Sequence, residues 1–164
     1  MTLDEEKKLA NRLVQGVMDL EEAKGYVLEL VDQQGSVSGI LKQALWCAAI
    51  VVYSRPFSQA KSGGISAKLL DAEKLGLFAD RPDLLQVHRF ILDVRQKVVA
   101  HTDWEHHRSE LNTSGQFGAG ITRQIIQTDY TRSDLRSFYD LVHHAAERVT
   151  KLSVALDKKL LRQP

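Results

Sequence analysis

The stretch TRSDLRSFYDLVHHAAERVTKLSVALDKKL, residues 131–160, reads as one long helix. Its apolar positions Leu135, Phe138, Val142, Ala145, Val149, Leu152 and Leu156 step by three and four without a fault, the spacing that lays one helix face against a core. Thr131, with Asp134 three residues on, resembles a capping box and marks its start. A helix of this length with a single apolar face is stable only when other elements cover that face.

Three further segments supply the cover. Leu9, Leu13, Val17, Leu20, Val27 and Leu30 follow helical spacing, which predicts a first helix from about Asp4 to Asp32 that Gly16 or Gly25 bends. A second helix runs from Ser36 or Ser38 to Ser54; it is apolar nearly all round from Ala44 to Tyr53, and Pro56 stops it. A short helix is expected over Ser66–Leu75 with Gly76 as its stop, and another from Pro82 to about Ala100 with Asp80 as its cap. Between Asp103 and Tyr130 the helical pattern lapses. There Ile121–Gln127 reads as a short strand that Ser109–Asn112 can pair. The expected architecture is all-α, an antiparallel bundle of four to five helices in one domain over residues 1–164, with a candidate β-hairpin in the 103–130 connection.

Composition narrows the class. With 43% hydrophobic residues and 3 prolines in 164 residues, the chain can bury a core. Lys and Arg total 22 against 21 acids, so no basic field covers the surface and any polyanion site must be local. The apolar run Ala44–Tyr53 is shorter than the roughly 20 residues of a membrane span, and the N-terminus opens with acids where a secretion signal carries bases. Cys47 is the only cysteine, which excludes an internal disulfide and suits a reducing compartment; a buried structural thiol is the expectation. A cytoplasmic protein without membrane contact follows.

The helix from Pro82 carries two charges where its pattern calls for carbon. With Leu84 at zero and roughly 100° per residue, Leu85, Val87, Ile91, Leu92, Val94, Val98 and Val99 fall in one arc, and Arg95 and His88 lie inside it at roughly +20° and +40°. A buried arginine without a partner costs several kcal/mol. Arg95 therefore either pairs with a carboxylate such as Glu29, Asp32 or Asp71 or caps helix carbonyls, or it opens onto a cleft that receives an anion. His88 alone reads more simply as a satisfied core histidine. His101, six residues after Arg95 at the expected helix end, can converge with it on one phosphate.

The stretch HRFILDVRQKVVAH, His88–His101, resembles the signature of the HEPN superfamily, an arginine followed after four to six residues by histidine near a helix end. Members are small helical bundles, many of them dimeric, that act as metal-independent ribonucleases in toxin, phage-defence and RNA-processing systems; others only bind nucleotides or assemble. The resemblance implies Arg95 and His101 as a catalytic pair, RNA or a nucleotide as partner, a homodimer, and no cofactor. Arg55, His88 and Gln96 are the candidate substrate-binding residues, Arg55 because the Tyr53–Phe57 stretch ends the most buried helix with a cation and a chain break. The alternative is a catalytically silent module that binds a nucleotide or a partner protein. His101, Asp103, His106 and His107 suggest a metal site, though a solvated loop explains them better, and no metal is expected. His143 and His144 lie off the apolar stripe of the last helix and are expected at the surface, with Trp46 in the core and Trp104 over the motif.

Overall fold

The computed structural model describes residues 2–32, 39–62, 65–68, 70–96, 109–112, 120–123 and 132–162. Among them four α-helices carry the fold: α1 (Leu3–Asp32), α2 (Gly39–Ser54), α3 (Pro82–Val94) and α4 (Arg132–Leu160). The fold is all-α, with two short antiparallel hairpins attached. One joins β1 (Gln59–Ser62) to β2 (Ile65–Lys68), and the other pairs β3 (Ser109–Asn112) with β4 (Gly120–Arg123), Ser109 opposite Arg123. The second hairpin falls where the sequence places one, with its return strand starting at Gly120.

α1 starts where its first polar residues let it. Thr2 and Glu5 form a reciprocal capping box: the Glu5 backbone N–H donates to Thr2 Oγ1 at 3.3 Å and the Thr2 backbone N–H to Glu5 Oε2 at 2.7 Å. α1 and α4 lie antiparallel, because Glu6 near the start of α1 meets Lys159 at the end of α4, and Gly16 meets Val149. At Gly16 the helix surface is thinned. A Cβ there would lie 2.8 Å from Leu70 Cδ1 and 3.7 Å from Pro56, so the bare backbone is what lets the segment after α2 press onto α1. The buried side chains form one cluster, with Leu13, Leu20 and Val27 from α1, Ile50 and Tyr53 from α2, Ile91 from α3, and Phe138, Val142 and Val149 from α4. Trp46 is buried and packs edge-on to Phe138 at 5.4 Å.

Residues 66–75 do not form the expected helix. Ile65–Lys68 is strand β2, and only one helical turn follows. Asp71 Oδ1 accepts the backbone N–H of Lys74 at 3.2 Å, capping that turn at its start. Gly76, at φ +61, ends it: its N–H donates to Glu73 O and the N–H of Leu77 to Ala72 O, the paired bonds of a Schellman close. The stop is legible in the sequence; the start is not, because the Leu70 N–H donates to Pro56 O at 2.7 Å and fixes the chain in another direction. The start of α3 differs as well. Its cap position is Arg81, which bonds Asp83 through Nη2 at 2.7 Å, while the Asp80 carboxylate lies 3.6 Å from His144 Nε2. Asp83 consequently ionises below the ordinary carboxylate range, chiefly through that hydrogen bond from Arg81.

His144 corrects a second expectation. It is half-buried rather than a surface residue: Nε2 lies 3.0 Å from Leu77 O, and the ring stacks on Phe78 at 5.9 Å. With Arg148, whose Nη2 donates to Gly76 O at 3.4 Å, it ties the carbonyls of the 76–77 turn to α4. His143 is exposed, stacked on Tyr139.

Candidate functional site

α3 presents the candidate residues in order along one face. His88 is 5% exposed and is enclosed by aromatic rings: Phe57 edge-on at 4.7 Å, Phe78 at 5.1 Å and Tyr53 at 5.9 Å. Its Nδ1 shares a hydrogen bond of 2.7 Å with the Tyr53 hydroxyl. Burial pushes the Tyr53 phenol well above its ordinary ionisation range, so the hydroxyl keeps its proton at neutral pH. The hydrogen bond explains why two polar groups sit in an apolar core: each satisfies the other, and leaving either alone would carry the desolvation cost of a buried polar group.

Two turns further on, Arg95 stands at the C-cap of α3, half-buried, its backbone N–H shared between Ile91 O and Leu92 O. Among the described residues no carboxylate pairs with it, neither Glu29, Asp32 nor Asp71. Gln96, exposed, follows in a wider turn of the π type. Residues 97–108 lie outside the described residues, and with them His101, Asp103, Trp104, His106, His107 and the expected extension of α3 to Ala100. Among the described residues no group of three or more His, Cys, Asp or Glu side chains is arranged to hold a metal ion.

Arg55 is directed to α1. In the 3-10 turn Arg55–Phe57 that follows α2, its Nη1 lies 3.7 Å from Asp19 Oδ1 and 3.5 Å from Glu22 Oε2. Asp19 is buried at 7% exposure and is also approached by Gln15 Nε2 at 3.5 Å, so Arg55 answers a carboxylate that helical spacing alone does not single out.

Beside His88 a cleft of about 90 Å³ opens to solvent, lined by Phe57, Leu70, Asp71, Ala72, Glu73, His88, Arg89 and Leu92. Its walls are the 3-10 turn, the capped turn at 71–75 and α3. At the rim the exposed Arg89 Nη2 and Glu73 Oε1 pair at 2.8 Å. Arg55 is not among the lining residues. Cys47 is elsewhere, half-buried on α2, and burial raises its thiol above the ordinary value, which holds it protonated and slow to react at neutral pH. No helix among the described residues is long and apolar enough to cross a membrane. In comparisons with known proteins, the chain matches no family model, no curated protein and no solved structure.

Proposed function

We propose that the chain is a HEPN-like, metal-independent endoribonuclease that acts in the cytoplasm as a homodimer, with Arg95 and His101 as its catalytic pair. His101 takes the proton of a ribose 2′-hydroxyl as it attacks the adjoining phosphodiester, and Arg95 stabilises the charge of the phosphorane. The observation that supports this reading is the state of Arg95. A guanidinium on the apolar face of a helix, half-buried and without a carboxylate among the described residues, is available to a phosphate. A salt-bridged Arg95 would have favoured the silent nucleotide- or protein-binding module instead.

The test is cleavage of a varied panel of single-stranded RNAs with a chelator present. His101→Ala is expected to lose about 10²–10⁴-fold in rate, the usual worth of a general base, with an unchanged melting curve. Wild-type protein that cuts nothing on the panel, or His101→Ala that cuts as fast as wild type, sinks the nuclease. Light scattering at micromolar concentration checks the dimer: a species of 18.5 kDa alone counts against it.

A further inference from the structure

α1 and α4 pack as an antiparallel pair, and the described segments fill one of the two grooves between them. A Cβ at Gly16 would meet Leu70 and Pro56, and Arg148 Nη2 reaches Gly76 O, so the chain after α2 closes the groove on that side. At roughly 100° per residue, Val14 and Met18 lie about 160° round α1 from Gly16, and Val154 and Leu161 lie about 120–140° round α4 from Arg148. They border the other groove. All four are exposed, Val14 at 47%, Met18 at 62%, Val154 at 46% and Leu161 at 87%, and Leu3 and Leu28 extend the row at its two ends. Six of the nine large hydrophobic side chains exposed among the described residues therefore gather on one face. An apolar row of this kind, rimmed by charge, suits docking of another protein surface.

The register of the pair follows from Gly16 facing Val149 and Glu6 facing Lys159, which sets Leu3 level with Leu161, Val14 with Lys151 and Met18 with Glu147. Charge is polarised along this face. At the Leu3 and Leu161 end Lys8 and Asp4 hold each other at 2.7 Å, and beyond that pair Lys7, Lys151 and Lys158 outnumber Asp157. Toward the other end Lys24 and Arg55 hold Glu21 and Glu22, and beyond those pairs Glu29, Asp140 and Glu147 outnumber Arg136. Asp140 also feels Arg81, but Asp83 holds that guanidinium at 2.7 Å. Gly25 lies on the same face. Nothing in the chain comes within 4 Å of a Cβ built there, so no contact among the described residues calls for a glycine in mid-helix, where it weakens the helix. Its bare backbone leaves room for a side chain from outside.

We propose that the α1/α4 face receives a second copy of this chain, docked antiparallel about a two-fold axis at the level of Gly16. The proposal rests on the homodimer of the reading above, to which it gives a surface, and uses neither Arg95 nor the cleft beside His88. A two-fold interface must be complementary to itself, and this face is. The axis brings Val14 onto the partner's Met18 and Leu3 onto the partner's Leu28, each twice. It sets Lys151 against the partner's Glu147, and lays Lys7 over the partner's Gly25 with the partner's Glu29 one turn away. The basic end of one copy thus meets the acidic end of the other, whereas a parallel docking would set the lysines of one copy against those of the next. The size suffices as well. Leu3 to Leu28 spans about 38 Å, and two helices of about 10 Å width make roughly 750 Å² per copy, close to the ~800 Å² per partner of a standard interface.

The experiment is sedimentation equilibrium of the purified full chain, with the circular-dichroism spectrum of each variant as the check on folding. Wild type is expected at twice 18.5 kDa. Met18→Glu, at an exposed position, is expected to keep the helical spectrum and to raise the dissociation constant at least about 100-fold, because the two-fold buries the new carboxylate twice; Met18→Leu should pair as wild type does. Lys151→Glu and Glu147→Lys each set like charges together across the axis, and each is expected to weaken pairing about tenfold. Both substitutions in one chain restore opposite charges, and the dissociation constant should return to within about threefold of wild type. Met18→Glu that pairs as tightly as wild type, or a double charge swap that pairs no better than its single variants, overturns this surface and leaves the homodimer standing. Wild type that stays at 18.5 kDa removes the homodimer and the surface together. RNA cutting is read separately on the same proteins, since none of the substituted residues belongs to the proposed catalytic pair.

Discussion

His88 and Arg95 lie seven residues apart on the same face of α3, and the fold treats them in opposite ways. His88 falls opposite the end of α2, where Tyr53 supplies a hydroxyl at 2.7 Å and Phe57, Phe78 and Tyr53 close around the ring. Arg95 falls at the C-cap of the helix, half-buried, and no carboxylate among the described residues meets it. Equal position on a helical wheel therefore does not mean equal environment. What differs among the described residues is the partner: a polar group enclosed in mid-helix must be satisfied by the protein, and a half-buried one at the helix end can be satisfied by a ligand.

The comparison breaks most readily at His88. His88→Ala removes a ring from a site that is 5% exposed, leaves a cavity among three aromatic side chains and strands the buried Tyr53 hydroxyl. The two losses together are expected to cost about 3 kcal/mol, read as a drop of roughly 6–12 °C in the melting temperature. Tyr53→Phe sharpens the point. It keeps the ring and removes only the hydroxyl, so it reports the hydrogen bond without the cavity, and about 1–2 kcal/mol is expected by denaturant titration. If both variants melt with wild type, the histidine is not structural and belongs with Arg95 as a ligand group.

Where the sequence speaks clearly, periodic carbon is the reason. Spacing alone assigns Leu135, Phe138, Val142, Ala145 and Val149 to the buried stripe of α4, and all are buried. The span of α1 is legible to within one residue at its start. The segment 66–75 misleads because Leu69, Leu70, Ala72 and Leu75 also step like a helix, while the interactions that decide it are long-range: the Leu70 N–H on Pro56 O, and the turn carbonyls held by His144 and Arg148 of α4. No local pattern records a contact between residues 67 positions apart. For the site, the pattern break at His88 and Arg95 is visible in the sequence, but their partners are not. Tyr53 reads as an ordinary core aromatic, Asp19 as one more acid on a mixed helix, and the cleft is assembled from three separate segments of chain.

Arg95 gives the smallest expected effect on stability and the most specific one on binding. Because no carboxylate among the described residues depends on it, Arg95→Ala strands none of them, and its stability is expected within about 0.5 kcal/mol of wild type once the stem's modest packing is counted. Its loss should appear in RNA binding as the removal of one phosphate contact. The slope of log affinity against log salt then falls by about 0.7, the value for one contact on a single strand. Arg95→Lys retains the charge and so most of that slope, but it lacks the planar fork that holds two phosphate oxygens, and cleavage stays low. Slope and rate thus separate: charge governs the first and geometry the second. A melting temperature that falls as far for Arg95→Ala as for His88→Ala would place both residues in the structural class and take away the observation on which the nuclease reading stands.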